Sequence, residues 1–301
     1  MEIINIDLDN IQTLEPMSAC IGYFDGMHIG HMQLIQETII QANIKQLKSA
    51  CITFHPDPWC IIKNIQNISH ISSMEERIEI GKENGLDYWI ILPFTSELSK
   101  MSVNEFEQLL KQMNIQSLIC GFDFSYGFKG QGNFQTLEKQ SYFDVVVVDE
   151  ITYKNEKISS TRIEKEITNG NMEEVYHLLG RHYSIQGSVI DGRKLGKTIG
   201  FPTANIRCKY QSILPKIGVY IGFVNVDGNR YKCMINIGHN PTFNYQNNLS
   251  IEVYICDFNK EIYGKEITIT FHKRIRDEKK FHSKEELIEQ LKIDVQKAKN
   301  Q

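Results

Sequence analysis

The spacing of short apolar runs constrains this 301-residue chain more than any other feature, and that spacing changes near residue 182. Before that point, the runs Ser18–Phe24, Ala50–Phe54, Tyr88–Phe94, Ser117–Phe122 and Phe143–Val148 alternate with stretches of helical period. Residues 29–44 set Ile29, Met32, Ile35, Ile39 and Ile40 on one side of a helix. Ser72 or Ser73 caps a helix over Glu75–Asn84 that stops at Gly85, and Ser102-Val103-Asn104-Glu105 is a capping box for a helix to about Met113. Strands rich in Ile and Val, with almost no polar alternation, are buried on both faces. Residues 1–182 therefore read as an α/β domain with a parallel sheet.

Two helical stretches at 161–168 and 172–180 precede the change. The strand candidates then crowd together: Tyr183–Ile190, Gly218–Val226, Arg230–Ile237, Ser250–Cys256 and Glu266–His272. Turns such as Asp191-Gly192 and Asp227-Gly228-Asn229 separate them, so residues 183–301 read as a small antiparallel β-barrel. A C-terminal helix over about Ser283–Lys297 closes the chain, with Ser283 as its cap and Glu286 three residues on.

Composition narrows the function. Apolar residues at 41% and charged residues at 23% are enough to build two packed cores. A net charge of −4 argues against a general nucleic-acid binder, which shows a basic excess. The seven cysteines are odd in number, widely spaced and free of any C-x-x-C pair. That argues against a disulfide framework or zinc site. Most of the cysteines sit in apolar strand-like runs as small core residues, and the expected compartment is a reducing one. No basic segment followed by an apolar one opens the sequence, and no apolar run is long enough to span a bilayer. The expected location is the cytoplasm, with neither membrane nor nucleic acid as partner. Protein partners are not legible.

Four segments carry chemistry. Gly22-Tyr23-Phe24-Asp25-Gly26-Met27-His28-Ile29-Gly30-His31 follows the first strand run and opens the first helix. A helix start offers unpaired amides and partial positive charge to a phosphate, and the glycines let the backbone come close. His28 and His31, three apart, share one face there and can donate to phosphate oxygens as charge develops. A single His at a helix start is commonly a cap, whereas the H-x-G-H pair after a strand and a Gly-rich turn is far less common by chance. Gly121-Phe122-Asp123-Phe124-Ser125-Tyr126-Gly127 follows a later strand. Ser159-Ser160-Thr161-Arg162 opens a helix, where hydroxyls and a guanidinium suit β- and γ-phosphate oxygens, although Ser-Ser-Thr is also simply a good cap.

The fourth segment runs from Gly192 to Asn205 and contains Gly192, Gly196, Lys197, Gly200 and Pro202. Its glycines and lysines can bring amides and ammonium groups to a polyphosphate. Thr203 and Asn205 are two apart, so an extended backbone points both the same way, and their oxygens suit a hard cation such as Mg2+. Glu252 lies between Ile251 and Val253 and faces away from the aliphatic side of its strand.

In this order, the segments resemble the bacterial bifunctional riboflavin kinase/FAD synthetase family over the whole chain. H-x-G-H resembles the signature of the nucleotidyltransferase superfamily, and Gly200-Phe201-Pro202-Thr203-Ala204-Asn205 resembles that of riboflavin kinases. Thr53-Phe54-His55-Pro56, Leu214–Tyr220, Asn236-Ile237-Gly238-His239-Asn240-Pro241-Thr242-Phe243, Ser250–Ile255 and Ile275–Phe281 agree with it.

The resemblance implies a Rossmann-like FMN adenylyltransferase domain followed by a riboflavin kinase-like barrel. It implies ATP-dependent phosphorylation of riboflavin to FMN, then adenylylation of FMN to FAD with release of pyrophosphate. Magnesium would accompany ATP, and ADP would leave the first step. It implies that His28, His31 and Arg162 handle phosphates, with Gly22, Phe24, Asp25, Gly26, Gly30, Ser159, Ser160 and Thr161 around them. His55, Asp123, Phe124 and Gly127 in the first domain, and Asn236, Arg276 and Phe281 in the second, would hold flavin. Glu252 would be the general base. The chain departs from the family at Tyr126, where Phe is more usual, at Met27, where a smaller aliphatic is common, and at Lys197, where Arg is frequent. Lys197 keeps the charge but lacks the bidentate fork. Two other readings stand beside this one. The first is a different H-x-G-H enzyme, such as a pantetheine-phosphate or nicotinate-nucleotide adenylyltransferase with an unrelated barrel. The second is a non-enzymatic flavin-sensing or RNA-binding module.

Overall fold

A computed structural model describes residues 1–192, 195–239 and 249–301, except for the side chain of Leu195. Asn240, Pro241, Thr242 and Phe243, part of the second-domain resemblance, lie outside the described residues. The chain divides into two compact units, Met1–Ser159 and Ser160–Gln301.

In the first unit, parallel strands lie in the order β1 (Glu2–Asn5), β4 (Tyr88–Pro93), β3 (Lys48–His55), β2 (Met17–Ile21), β5 (Ile115–Gly121) and β8 (Asp144–Val148). Strand alternation sends Met17, Ala19 and Ile21 into one core layer and Cys20 into the other. Helix α1 (Ile29–Lys45) and helix α3 (Met74–Glu83) supply Leu34, Ile35, Ile78 and Ile80 to the Cys20 side. Helix α4 (Val103–Gln112) supplies Phe106, Leu109 and Leu110 to the other. The expected capping box forms between Ser102 and Glu105 on α4, and of the two cap candidates for α3 it is Ser73 that caps, in a box with Glu76. Smaller elements complete the unit: helix α2 (Pro58–Ile62), helix α5 (Phe134–Leu137), the ribbon β6–β7 (Ser125–Tyr126 with Gly132–Asn133) and the ribbon β9–β10 (Thr152–Tyr153 with Glu156–Lys157).

Three expectations change. The strand before the Gly22–His31 run is the second of the chain, because Glu2–Asn5 forms an edge strand too short to show a period. Ile40 lies on the solvent side of α1, while Thr38 and Ala42 join Leu34 and Ile35 on its buried side. Strand β8 is only half-buried, as suits a sheet edge.

The second unit opens with helices α6 (Ser160–Asn169) and α7 (Met172–Leu179). A closed antiparallel barrel follows. Its order is β11 (Ser184–Ile190), β12 (Ala204–Cys208), β15 (Leu249–Ile255), β14 (Asn229–His239), β13 (Gly218–Val226) and β16 (Glu266–Arg276), which pairs back with β11. The short helix α8 (Leu195–Thr198) lies between β11 and β12. Helix α9 (Lys284–Lys299), capped by Ser283, lays Leu291, Val295 and Ala298 against Val219, Ile221 and Met234 of the barrel. Strand β12 was not foreseen, since Pro202 and the polar residues around it mask a five-residue strand. No helix among the described residues is long and apolar enough to cross a membrane.

Candidate functional sites

Strand order locates the first site. From β2 the chain passes through α1 to β3 on one side of the sheet, and it later returns to β5 on the other side. Between β2 and β5 the winding reverses, and a crevice opens beyond the carboxyl ends of the strands at such a point. The turn after β2 is Gly22–His28, and the segment after β5 is Phe122–Gly127. Topology thus brings two of the segments singled out in the sequence to one edge, with His55 at the end of the neighbouring β3.

The turn is tightly built. Phe24 and Met27 have left-handed backbones at φ 57° and 42°, which costs a non-glycine residue about 1–2 kcal/mol each. Gly26, at φ 81°, has no such cost, and a Cβ there would press on Ile71 at 3.0 Å. His28 is buried and caps α1, its Nδ1 accepting the His31 amide at 3.3 Å. The two imidazoles stack, with centroids 3.5 Å apart. A side chain at Gly30 would meet the His28 ring at 3.2 Å, so glycine leaves room for it. No acidic residue lies in the first turn of α1, whose start carries partial positive charge.

Asp25 turns inward. Its carboxylate accepts from the amides of Ile71 and Ser72 at 3.1 and 3.0 Å and from Arg77 Nη2 at 2.8 Å. Burial raises the Asp25 pKa, but the His70 ring 3.8 Å away, the Arg77 charge and the Ile71 amide outweigh it and hold the group below its ordinary value. Arg77 is 2% exposed, and its guanidinium also donates to the carbonyls of Tyr23 and Ser72 and to Ser72 Oγ. The sequence reading missed Arg77. The available signal was a charged residue on the α3 face shared with Met74, Ile78 and Gly81.

Of the remaining first-site candidates, Asp123 is exposed and paired with Lys157, Phe124 stacks on Tyr126, and His55 is exposed. Gly127, at φ 71°, lies against the backbone of Val103. Ser159 ends the first unit. Ser160, Thr161 and Arg162 open α6 and group with the second unit, where Arg162 bonds Glu174 of α7 at 3.0 Å.

In the barrel, one register row joins the second set. Asn205 of β12 pairs with Glu252 of β15, Glu252 with Asn236 of β14, Asn236 with Val219 of β13, and Val219 with Arg276 of β16. Directly paired residues share a face. Thr203 Oγ1 lies 3.3 Å from Glu252 Oε2. A cavity of about 820 Å³ is lined by Gly196, Thr203, Asn236, Glu252, Arg276 and Phe281, all expected at the site. Asn205, Gly192, Lys197, Gly200 and Pro202 do not line it; Lys197 is exposed, and Asn205 is 8% exposed beneath the loop. A Cβ on Gly192 would fall 2.0 Å from Asn205 Nδ2, so the loop crosses that amide closely. Met234, Leu287 and Leu291 give the cavity an apolar wall, and Lys279, Lys280 and Lys284 also line it. Arg276 is tied by Nε to Asp294 of α9 at 2.8 Å, and Asp294 is 0% exposed and bonded by Gln290 at 3.0 Å. The expected orientation of Glu252 holds, since Ile251 and Val253 are buried while it is half-buried.

An α/β unit with a helix-start turn at its switch point and a closed barrel with a carboxylate–amide row define a two-module class. Comparisons with known proteins bear on which one. The FAD synthetase family model matches residues 10–162, and the riboflavin kinase model matches residues 179–301. The bifunctional riboflavin kinase/FMN adenylyltransferase of Listeria monocytogenes is 41% identical over 92% of this chain and 89% of its own. The Bacillus subtilis protein of the same name is 38% identical over 92% and 90%. A Streptococcus pneumoniae crystal structure, described as a macrolide-efflux protein, superposes with a TM-score of 0.92 at 32% identity over 99% of both chains. The chain belongs to the bifunctional riboflavin kinase/FMN adenylyltransferase family.

Proposed function

We propose that this chain phosphorylates riboflavin to FMN in the barrel unit and adenylylates FMN to FAD in the α/β unit, using ATP for both. The observation that carries the reading is the pair of separate residue sets, one around the turn before α1 and one on the barrel row, each built from segments that carry the family resemblance. We take residues 1–182 to serve adenylylation and 183–301 phosphorylation.

In the barrel, Glu252 accepts the proton of the riboflavin 5′-hydroxyl as that oxygen attacks the γ-phosphorus of ATP, and ADP leaves. The Gly192–Pro202 loop, with Lys197, neutralises phosphate charge, while Asn236, Arg276 and Phe281 seat the flavin against Met234 and Leu291. The hydroxyl of Thr203 and the amide oxygen of Asn205 are oxygen donors of the kind that suits a hard divalent cation such as Mg2+. Bound with ATP, that ion supplies charge neutralisation on the phosphates.

In the α/β unit, the FMN phosphate attacks the α-phosphorus of ATP and pyrophosphate leaves. The nucleophile is already anionic, so the protein's contribution is orientation and charge stabilisation by His28, His31 and the amides at the start of α1. The inward carboxylate of Asp25 serves the turn rather than the nucleotide. His55, Asp123, Phe124 and Gly127 border the FMN. We place both reactions in the reducing cytoplasm, a reading supported by seven free cysteines, six of them buried.

Incubation with riboflavin, ATP and Mg2+ followed by chromatography tests this. FMN should appear first and FAD after it. AMP transfer to pantetheine phosphate or nicotinate mononucleotide without flavin turnover would replace this reading with the other adenylyltransferase one.

A further inference from the structure

The groups that hold the Phe24–His28 turn lie mostly outside it. Two non-glycine residues there, Phe24 and Met27, sit in the left-handed region, and a strained turn persists only when its surroundings over-determine it. Here the surroundings are the segment Ile71–Arg77. Ser72 Oγ accepts the Gly26 amide at 2.8 Å, and the Ile71 and Ser72 amides both reach Asp25. Arg77 joins the two sides. Its Nη1 donates to the Tyr23 carbonyl at 3.0 Å, its Nη2 to Asp25 at 2.8 Å and the Ser72 carbonyl at 3.0 Å, and its Nε to Ser72 Oγ at 3.2 Å. The guanidinium also lies 4.6 Å from the centroid of the Tyr23 ring. A planar fork can serve these separate acceptors at once, and an ammonium group cannot.

The geometry points to Arg77 as a positioning residue for adenylyl transfer, holding through Tyr23, Asp25 and Ser72 the turn that presents His28 and the first amides of α1. This rests on the reading of the first unit as the adenylylating one. Arg77 touches no reacting atom in this account. It acts by fixing the turn, and a misplacement of about 1 Å at such a site costs on the order of 100-fold in rate. Its charge also balances Asp25, so a carboxylate can brace the turn without setting an unopposed negative charge beside a polyphosphate.

The test uses the full chain carrying R77K, which keeps the charge and loses the fork. With saturating ATP and Mg2+, kcat for FAD formation from FMN should fall about 30- to 100-fold, while KM for FMN stays within about threefold. Riboflavin phosphorylation by the same preparation should be unchanged. D25N should show the same pattern, and R77K with D25N should fall no further than the poorer single variant, because both remove one device. S72A, a smaller change, should lower kcat about tenfold and serves if R77K reduces the folded fraction. A role in folding alone predicts losses that track the folded fraction and vanish in the cold, and that result would overturn the proposal. So would full kcat in folded R77K, or losses that multiply. If the unaltered chain makes no FAD at all, the adenylylating reading of the unit fails first.

Discussion

Glu252 shares a cross-strand row with Asn205 and Asn236, and its Oε2 lies 3.3 Å from the Thr203 hydroxyl. E252Q keeps the shape and removes the base. Riboflavin phosphorylation should therefore fall about 100- to 10,000-fold, while FAD formation from supplied FMN is unchanged. G192A probes the same row from above. Its Cβ would displace the Asn205 amide, 2.0 Å away, and should lower kcat/KM for phosphorylation about tenfold. How much of each site was legible depended on sequence distance. Thr203 and Asn205 are alternate residues, so their kinship could be proposed from local sequence. The H-x-G-H pair is local in the same sense. Asn205, Asn236 and Glu252 meet only because three barrel strands pair in one register, and no local period encodes that. Arg77 stayed hidden because a charged residue inside a helix reads as solvent-facing until its partners are known.

At the scale of elements, capping chemistry was the most readable feature. Ser73, Ser102 and Ser283 each begin a helix as their spacing from Glu76, Glu105 and Glu286 requires. Strands with few residues or broken patterns were not, as β1 and β12 show. Helix α9 is more than a lid of apolar residues. Its buried Asp294 anchors Arg276 of β16 at the cavity. D294A leaves that guanidinium without its carboxylate and should destabilise the second unit by about 2–4 kcal/mol, read as faster hydrogen exchange in β16 and α9, with a raised KM for riboflavin. In the first unit, the segment before α3 braces the turn before α1 through Asp25. The Asp25 pKa is lowered from 3.8, so its stabilisation is present at neutral pH and lost as pH falls through the folded-state value. Both tryptophans, Trp59 and Trp89, lie in this unit. The difference in urea midpoint between the unaltered chain and D25N, followed by their fluorescence, should be constant above about pH 5 and shrink below about pH 4.

Across the whole molecule, the change in strand spacing near residue 182 carried most of the fold. Long crossovers with helices gave the parallel sheet, and short turns gave the antiparallel barrel, because strand connection length sets strand direction. The apolar pattern could not show the order of strands, and that order is what puts the turn after β2 beside the segment after β5. The central claim is that two ATP-using sites work independently, one at the start of α1 and one on the barrel row. Chromatography of products from two full-length variants measures it most directly. H28A with H31A should turn riboflavin into FMN at the normal rate and make no FAD, and E252Q should convert supplied FMN to FAD while leaving riboflavin untouched. Loss of both products in either folded variant, or continued FAD formation without the two imidazoles, would contradict it.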